Sequence, residues 1–426
     1  MKRTIVAAVC LALLVLTSSS ASGSGFYTSD LGARSTAMGA ASVASVDDAS
    51  AAYFNPAALT GLDGINVSGG VTVYDVSGEF KSDSGETARL EDSLIPLPHV
   101  YVSGKTGDRV ALGFAVFSDF GLATDWEDDW QGRFLLGSTY AESLTVNLNP
   151  VVAYQVTPAL SVAAGPVARY FSVDLQNQMP NLLGGFGIGP SPLAVSETGS
   201  RIEGDDWSYG YTVALKARLT EALDLGVSYR SKTDHTLSGD FKIDDDGVNG
   251  YTDASIDVEA TLPAYADIGL SWHRNKWTLA VGVLWTQWSS YDELGFAFDR
   301  LQGVPGINQT GGSSVVTDWE DTWSWKLGAE YAPVPDWRLR AGLIFDPSPV
   351  PDATLDPLVP VGDRLDFTLG LGYSKGPLKV DLAYLLITSE DRSFQTSGAE
   401  AGLPDISGDF EGFVTHALSV SASYRF

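Results

Sequence analysis

The chain has 426 residues, a formal net charge of −27 at pH 7 and 44% hydrophobic residues. Such acidity excludes nucleic-acid binding as a main role, because no basic patch could offset the negative field. The single cysteine, Cys10, lies in an N-terminal export signal, so the mature chain has no thiol for a disulfide, a metal site or a nucleophile.

Residues 1–21 have the pattern of a signal peptide. Lys2 and Arg3 precede the apolar run TIVAAVCLALLVL, and a stretch of small residues follows it. The apolar run is too short to cross a bilayer as an ordinary helix. We expect cleavage after Ala21 and export of the remaining chain, which must be stabilised without disulfides.

The next segment, residues 22–63, is rich in small residues and shows no strand alternation. Within it, Pro56 interrupts any helix through the stretch DDASAAYFNPAALTGLDG. The Asn55 side chain can bond its own backbone two residues on, and Pro56 fixes the next φ. Because the surrounding small residues suit close backbone packing, we expect a rigid turn inside the protein and not on its surface.

From residue 64 onward, apolar residues alternate with small or polar ones. In the last segment, VTHALSVSASYRF, one parity carries Leu418, Val420, Tyr424 and Phe426, and His416 is its only strongly polar member. Successive side chains of a strand point to opposite faces, so this pattern predicts a strand with one apolar face. WRLRAGLIF and RLDFTLGLGY repeat it, with aromatic residues at the ends of the apolar face, as in the girdles of membrane barrels.

Short turns alternate strictly with long polar loops between these segments, which is typical of a membrane barrel with its short turns and both termini in the periplasm. The predicted short turns are 106–108, 157–158, 220–221, 274–276, 333–336 and 375–377. In lipid every backbone N–H and C=O must be paired within the protein, and only a closed sheet leaves no edge. The sequence therefore predicts an all-β, 14-stranded antiparallel transmembrane β-barrel over residues 64–426. We place the strands near residues 71, 100, 113, 149, 165, 213, 230, 265, 282, 327, 341, 369, 382 and 420.

Several stretches, in order along the chain, resemble the FadL/TodX family of outer-membrane channels for long-chain fatty acids and other hydrophobic compounds. LGARSTAMGAASVASVDDASAAYFNPAALTGLDG resembles the family's hatch segment, including its motif at Asn55, Pro56 and Ala57. WEDTW, DPSPVPD and GDR stand in the family's order within the stretch from 318 to 373. The resemblance implies that residues 22–63 form a hatch that plugs the barrel lumen.

The resemblance also implies a transport route. Apolar substrates would be captured at the external loops and would move to a pocket in the lumen. Movement of the N-terminal end of the hatch and an inward kink of the third strand would then let them leave sideways into the bilayer. The third strand contains Gly113 and ends in a polar break at Ser118-Asp119, which permits such a kink.

The loop at 176–205 is the first candidate for substrate binding, because it is too apolar for an ordinary exposed loop. Its apolar residues are either a hydrophobic capture site or a lid that packs over the barrel mouth. The candidate residues are Met179, Leu182, Leu183, Phe186 and Ile188.

The second candidate group consists of cations that face the lumen by parity: Lys326, Arg340 and Arg364. Each could hold a substrate carboxylate. The alternative, which we favour, is a salt-bridge network that holds the hatch to the wall, since intramembrane charges commonly pair with one another.

No pattern of residues indicates catalysis, a metal site or a cofactor. The acidic stretch 244–253 lacks the spacing and the final Glu of a calcium loop, and the four histidines are scattered. We expect a monomeric channel, surrounded by outer-membrane lipid, for passive uptake of hydrophobic molecules, with long-chain fatty acids as first choice. Aromatic or alkane hydrocarbons are an alternative substrate, and a lipid hydrolase or a partner-binding structural barrel is an alternative function.

Replacing Leu182, Leu183 and Phe186 together by serine tests the capture hypothesis. We expect fatty-acid affinity to fall at least tenfold, because each methylene removed from water contributes about 0.8 kcal/mol. Equilibrium binding of a radiolabelled fatty acid to the purified variant measures the effect. Unchanged affinity would mean that this loop only packs over the mouth.

Overall fold

The computed structural model describes residues 25–91, 93–179, 198–243, 254–298, 311–396 and 405–426. The predicted signal peptide, the loop residues Leu182, Leu183, Phe186 and Ile188, and the acidic stretch 244–253 lie outside these ranges. Met179 is described only as the last backbone position of a strand.

Fourteen antiparallel strands form one closed sheet, in which each strand pairs with its neighbour in the chain. Closure comes from β1 (Ile65–Ser82) and β14 (Ile406–Arg425), which pair from Asn66 opposite Arg425 to Ser82 opposite Gly408. This arrangement confirms the predicted 14-stranded barrel. The other strands are β2 (Thr87–Arg89 and Leu94–Thr106), β3 (Val110–Phe117 and Gly121–Asp125), β4 (Tyr140–Thr157), β5 (Leu160–Met179), β6 (Thr198–Thr220), β7 (Leu223–Arg230 and Thr233–Ile243), β8 (Ala254–Leu262 and Tyr265–Arg274), β9 (Trp277–Thr286 and Glu293–Phe298), β10 (Gly311–Val316 and Thr322–Tyr331), β11 (Trp337–Asp346), β12 (Arg364–Lys375) and β13 (Leu378–Ser389 and Arg392–Thr396).

Tight turns join the strands at the end of the barrel where the chain also finishes. These turns coincide to within one or two residues with the short turns predicted from the sequence. Each of the predicted strand centres accordingly lies within an observed strand. The turns span residues 107–109, 158–159, 221–222, 275–276, 332–336 and 376–377.

Side chains that point away from the lumen are apolar along the middle of the strands. Leu327, Leu339, Leu369, Leu418 and Val420 are all exposed. In water, each such residue would forgo roughly 1.5–3 kcal/mol of burial, whereas lipid covers this surface at no such cost. The outward face is therefore suited to a bilayer.

Exposed aromatic side chains border this apolar band on both sides. One set lies beside the tight turns, and the other lies farther along the strands, as interfacial girdles require. The first set is Tyr154, Trp272, Trp277, Trp337, Tyr424 and Phe426, and the second is Trp207, Tyr209, Tyr211, Trp323, Trp325, Phe345 and Phe367.

Residues 25–61 lie within the lumen and carry three short helices. These are α1 (Ala33–Ala37), α2 (Ala51–Phe54) and the 3-10 helix η1 (Pro56–Gly61). Helix α1 packs against β11 to β14, whereas α2 and η1 pack against β2 to β4, with η1 reaching β5 and β6. Contacts on opposite sides of the barrel show that this segment, here called the plug, fills the bore.

Glycines in the wall let the plug backbone approach the strands closely. A Cβ at Gly342 would lie 2.2 Å from the Gly39 nitrogen, and one at Gly328 would lie 2.3 Å from the Met38 oxygen. A Cβ at Gly226 would lie 2.1 Å from the oxygen of Val43. Because these contacts are with backbone atoms, the central part of the plug is tightly fixed to β7, β10 and β11.

We expect Gly342→Ala to displace the plug and leave the barrel folded. The added methyl group would overlap the Gly39 backbone, and such overpacking costs about 1–3 kcal/mol. Ion conductance in planar bilayers should rise, while the folded barrel should resist unfolding in cold detergent as the wild type does.

Gly104→Ala is the matched control, because a Cβ at Gly104 would have only the Ile65 side chain, 3.9 Å away, as a neighbour. Equal conductance of the two variants would contradict the close fit between plug and wall.

Candidate functional site

Strand β3 leaves the barrel wall at Ser118, Asp119 and Phe120, between its two segments. All three side chains are buried, and Asp119 and Phe120 have no exposed surface. Thr145 of β4 holds the break, since its hydroxyl accepts from the Phe120 N–H at 3.1 Å and donates to the Phe120 carbonyl at 2.7 Å. The third strand therefore bends into the lumen at the polar break noted in the sequence.

This bend interrupts the ladder between β2 and β3. The first segment of β3 pairs with β2 only as far as Val116 opposite Val100. In the part of the chain that the structure describes, the next pairing between these strands is the bridge from Leu90 to Trp126. Residues 94–99 of β2 pair with β1 but have no described ladder partner on the β3 side, so the wall has a lateral gap there.

The N-terminal end of the plug occupies the inner side of the bend. Tyr27 forms a β-bridge with Phe120, and the Thr28 N–H donates to the Asp119 carbonyl at 2.9 Å. The Gly121 N–H donates to the carbonyl of Phe26 at 2.8 Å. The plug thus pairs with backbone groups of β3 that the wall does not pair, and neither segment can move without the other.

A buried polar cluster holds the bend against other strands. Arg169 donates to Oδ2 of Asp119 at 2.7 Å, and Tyr265 donates its hydroxyl to the same oxygen at 2.9 Å. The Asn147 amide donates to Oδ1 at 2.7 Å. Breaking a buried ion pair of this kind costs about 3–5 kcal/mol, so the cluster fixes the position of the bend.

Aromatic side chains surround the first described residues of the plug. The Phe26 ring contacts the rings of Phe120, Trp288, Tyr291 and Trp319, with centroid distances of 5.0–5.8 Å. Such edge contacts contribute about 0.5–1.5 kcal/mol per pair beyond the area that they bury. These five rings form what we call the aromatic cage.

One apolar cluster extends from the aromatic cage to the loop between β11 and β12. In this loop the Pro357 carbonyl accepts a hydrogen bond of 3.2 Å from the Trp126 indole, and burial raises the pKa of Asp356 to about 6. A continuous apolar interior can desolvate a hydrophobic ligand between the loops and the bend. The cluster includes Phe80, Trp130, Phe171, Leu175, Ile202, Leu237, Ile256, Val258, Phe296, Leu355, Leu358, Val359, Phe394 and Phe410.

The lumen-facing cations predicted from the sequence are buried and paired with carboxylates of the wall. Lys326 Nζ lies 3.0 Å from Oδ2 of Asp267. Arg340 lies 2.7 Å from Glu330 and 2.6 Å from Asp381. These partners are not in the plug, which differs from the network between hatch and wall that we favoured.

Arg364 donates to Oδ2 of Asp346 at 2.7 Å, so it too has a carboxylate of the wall as partner. Among the described residues, Lys379 of the wall forms an ion pair with Asp47 of the plug, and their atoms lie 3.2 Å apart. It is partly exposed at the end of the barrel with the tight turns, where such a pair contributes about 0–1 kcal/mol.

The Asn55-Pro56-Ala57 turn joins two parts of the plug to the wall. The amide of Asn55 donates to the Val43 carbonyl at 2.7 Å and to the Leu215 carbonyl of β6 at 3.0 Å. Its side-chain oxygen accepts from the Ala57 N–H at 3.1 Å, two residues on, and Pro56 begins η1. The turn is buried and rigid.

Within the described ranges, no helix is long and apolar enough to cross a membrane. Nor does any described group of three His, Cys, Asp or Glu side chains have an arrangement that could hold a metal ion.

Sequence reasoning missed the cluster around Asp119. Arg169 and Tyr265 both lie at lumen-facing positions of their strands, and the alternation along each strand could have indicated this. Their convergence on the break in β3 could not be foreseen, because it joins residues as far as 146 positions apart in the chain.

Known proteins are similar to this chain in both sequence and fold. The family model described as outer membrane protein transport protein (OMPP1/FadL/TodX) matches residues 14–426. A Neisseria meningitidis serogroup B protein, whose name assigns it to the outer membrane, is 28% identical over 95% of this chain and 94% of its own. The long-chain fatty acid transport protein of Salmonella typhi is 24% identical over 82% of each chain.

Two crystal structures have similar folds. A Pseudomonas aeruginosa FadL homologue superposes with a TM-score of 0.80 at 22% identity, over 96% of this chain and 99% of its own. The Ralstonia pickettii toluene transporter TbuX superposes with a TM-score of 0.69 at 20% identity, over 93% of this chain and 98% of its own.

We expect Asn55→Ala to loosen the plug and leave the barrel intact. The change removes three hydrogen bonds in a fully buried site, and each unsatisfied buried partner costs about 1–3 kcal/mol. Hydrogen exchange measured by mass spectrometry should increase in peptides covering 40–62 and stay constant in the strands.

Asn66→Ala is the control, because Asn66 makes an exposed hydrogen bond to Asp63. Equal exchange in the two variants would show that the turn does not hold the plug.

Proposed function

Since the chain belongs to the OMPP1/FadL/TodX family of outer-membrane transport proteins, we propose that it takes up long-chain fatty acids through the lateral gap beside β3. The proteins of this family transport hydrophobic compounds across the outer membrane. For this chain we propose the substrate, the route by which the substrate leaves the barrel, and the segment of the plug that moves.

The observation that carries the proposal is the lateral gap between β2 and β3, next to a continuous apolar interior. Each methylene of an acyl chain exposed to water costs about 0.8 kcal/mol, so a long chain cannot cheaply cross a water-filled pore. A path from the apolar cluster through the gap ends in the bilayer. The substrate can then leave without entering water.

The proposed moving part is the N-terminal end of the plug. Its central part is fixed by backbone contacts with wall glycines, whereas Phe26 and Tyr27 are held by aromatic contacts and two backbone bonds to β3. Aromatic contacts can be replaced by an acyl chain of similar polarity. A substrate in the aromatic cage would compete with Phe26 and thereby release the bend.

Substrate capture is proposed for the apolar loop that contains Met179, Leu182, Leu183, Phe186 and Ile188. In this proposal the signal peptide is residues 1–21, the hatch is 22–63 and the barrel is 64–426. The tight turns and both chain ends would face the periplasm, and the channel would act as a monomer without a cofactor.

Aromatic hydrocarbons are a second candidate substrate. The aromatic cage favours planar rings, and one structure of similar fold is a toluene transporter. Relatives named for long-chain fatty acid transport cover 82% of this chain, which makes fatty acids our first choice.

Uptake of radiolabelled oleate and toluene, in a Gram-negative host that lacks its own fatty-acid transporter, tests the function. We expect expression of this chain to raise oleate uptake several-fold and toluene uptake less. No increase for either compound would contradict the proposal.

The double variant Tyr27→Cys/Phe120→Cys tests the moving part. These residues are partners in a β-bridge, so their Cα atoms lie within disulfide range, and the mature chain has no other cysteine. Oxidation should abolish most oleate uptake, because the plug can no longer leave the bend, and a reductant should restore it.

Val71→Cys/Val420→Cys is the matched control, since it crosslinks facing residues of β1 and β14 in the closed wall. It should transport equally in both redox states. Undiminished uptake by the oxidised Tyr27/Phe120 variant would mean that the plug end need not move.

A further inference from the structure

Two prolines lie on the β2 side of the lateral gap. Pro96 and Pro98 belong to the second segment of β2, in the stretch LIPLPHV, and both are half-buried. A proline in a strand removes one ladder hydrogen bond, so prolines within sheets are confined to edge strands, strand starts and bulges. Their presence indicates that this part of β2 has the character of a sheet edge, although it belongs to the barrel wall.

The alternation of backbone groups along β2 shows which way the two prolines face. The Lys105 N–H donates to the carbonyl of Gly64, next to β1, at 3.3 Å. Peptide groups of successive residues in an antiparallel strand point to opposite neighbours, so odd-numbered residues of β2 bond to β1 and even-numbered ones face β3. Pro96 and Pro98 therefore turn their peptide groups toward the gap, where neither has an N–H to offer.

Chain length is not what keeps the gap open. One border of the gap is the pairing of Val100 with Val116. The other border is the bridge from Leu90 to Trp126. The segments of β2 and β3 between these borders are equally long, so a ladder across the gap would need no inserted residue in either strand.

The prolines would weaken such a ladder at two successive hydrogen-bonded pairs. Continued from the described register, it would place Pro98 opposite Ser118 and Pro96 opposite Phe120. In each pair the N–H of β3 could donate to a carbonyl of β2, but the return bond would have no donor. The edge of β2 thus offers β3 only half of the hydrogen bonds of an ordinary antiparallel ladder.

The edge is also stiff and apolar. Proline fixes its own φ and restricts the preceding residue to extended conformations, so Ile95 and Leu97 are held in strand geometry without a described partner on the β3 side. The side chains of Ile95 and Leu97 are buried in an apolar cluster on the inner face of the gap. The two proline carbonyls remain, and proteins tolerate a buried carbonyl without a partner better than a buried N–H.

We propose that Pro96 and Pro98 keep the lateral gap open by preventing β3 from pairing with β2 when the end of the plug withdraws. In the structure, the Thr28 N–H and the Phe26 carbonyl bond to backbone groups of the bend. Withdrawal would leave these groups of β3 without partners, and a straightened β3 would regain partners in the wall. Without the prolines, β3 would close the gap at the moment of release. This inference rests on the proposed function and names the residues that preserve its exit route.

Replacing both prolines by valine supplies the two missing N–H groups and tests the proposal. We expect Pro96→Val/Pro98→Val to lower the rate of radiolabelled oleate uptake roughly fivefold or more, because a completed ladder leaves no lateral exit. Uptake is measured in a Gram-negative host that lacks its own fatty-acid transporter. Equilibrium binding of oleate to the purified variant in detergent should stay within about twofold of the wild type, since the apolar interior is unchanged.

Pro150→Val/Pro166→Val is the matched control. These two exposed prolines lie opposite one another in β4 and β5, where the described ladder is also interrupted. New N–H groups at these positions cannot close the gap beside β3, so oleate uptake should remain at the wild-type rate. An equal fall of uptake in both double variants would overturn the proposal.

The single variant Pro98→Val serves as the test if the double variant does not fold. It adds one N–H beside the existing pair of Val100 and Val116, and it should lower oleate uptake roughly twofold or more.

Other outcomes separate this inference from the function on which it rests. Wild-type uptake by the folded proline variant, or a loss of oleate binding as large as the loss of uptake, would overturn the role of the prolines and leave hydrophobic transport standing. Failure of the unmodified chain to raise oleate uptake would overturn the fatty-acid function, and the exit route with it.

Discussion

A protein wall in lipid must pair its own backbone groups, because the surrounding hydrocarbon offers no hydrogen-bond partner. The pairing of β1 with β14 meets this requirement around the circumference. At the break in β3, some backbone groups have no partner in the wall, and the plug supplies these partners. The Thr28 N–H donates to the Asp119 carbonyl, and the Phe26 carbonyl accepts from the Gly121 N–H. The lateral gap and the plug are therefore two parts of one arrangement, since the wall could not bend inward without a partner for its backbone.

The plug is held in two physically different ways. Its middle fits against glycines of the wall, where even one methyl group would overlap backbone atoms, and the buried Asn55 side chain ties it to β6. Its N-terminal end rests on aromatic rings and on the bent strand. Close packing resists displacement, whereas ring contacts with an apolar interior can be exchanged for contacts with an apolar ligand. The opening that we propose would therefore leave the central part of the plug in place.

The architecture was predictable from the sequence because strand parity and turn position are local properties. The periodicity in segments such as WRLRAGLIF indicates β11, and the short turns at 158–159 and 376–377 set the register of the strands that they join. The interior was less predictable. Parity placed Lys326, Arg340 and Arg364 in the lumen, but their partners Asp267, Glu330 and Asp346 come from nearby strands of the wall, and we had favoured partners in the plug.

The family resemblance implied a bend in the third strand, and the polar break at Ser118-Asp119 permitted it, but the residues around the bend lay beyond sequence reasoning. Nothing local distinguishes the end of a strand from a bend. The convergence of Asp119, Arg169 and Arg230 depends on three strands that meet only after the sheet has curled. Arg230, at the end of the first segment of β7, is buried beside Tyr53 of the plug and Phe117 of β3, and no local pattern brings these three residues together.

The seam between the first and last strands also constrains biogenesis. β14 is the last of the fourteen strands and pairs with the first, so the cylinder can be sealed only when all of them are present. Residues 25–61 are enclosed by strands on opposite sides. We therefore expect the N-terminal segment to be in place before the seam closes, so that the last strands assemble around one of the first parts of the chain.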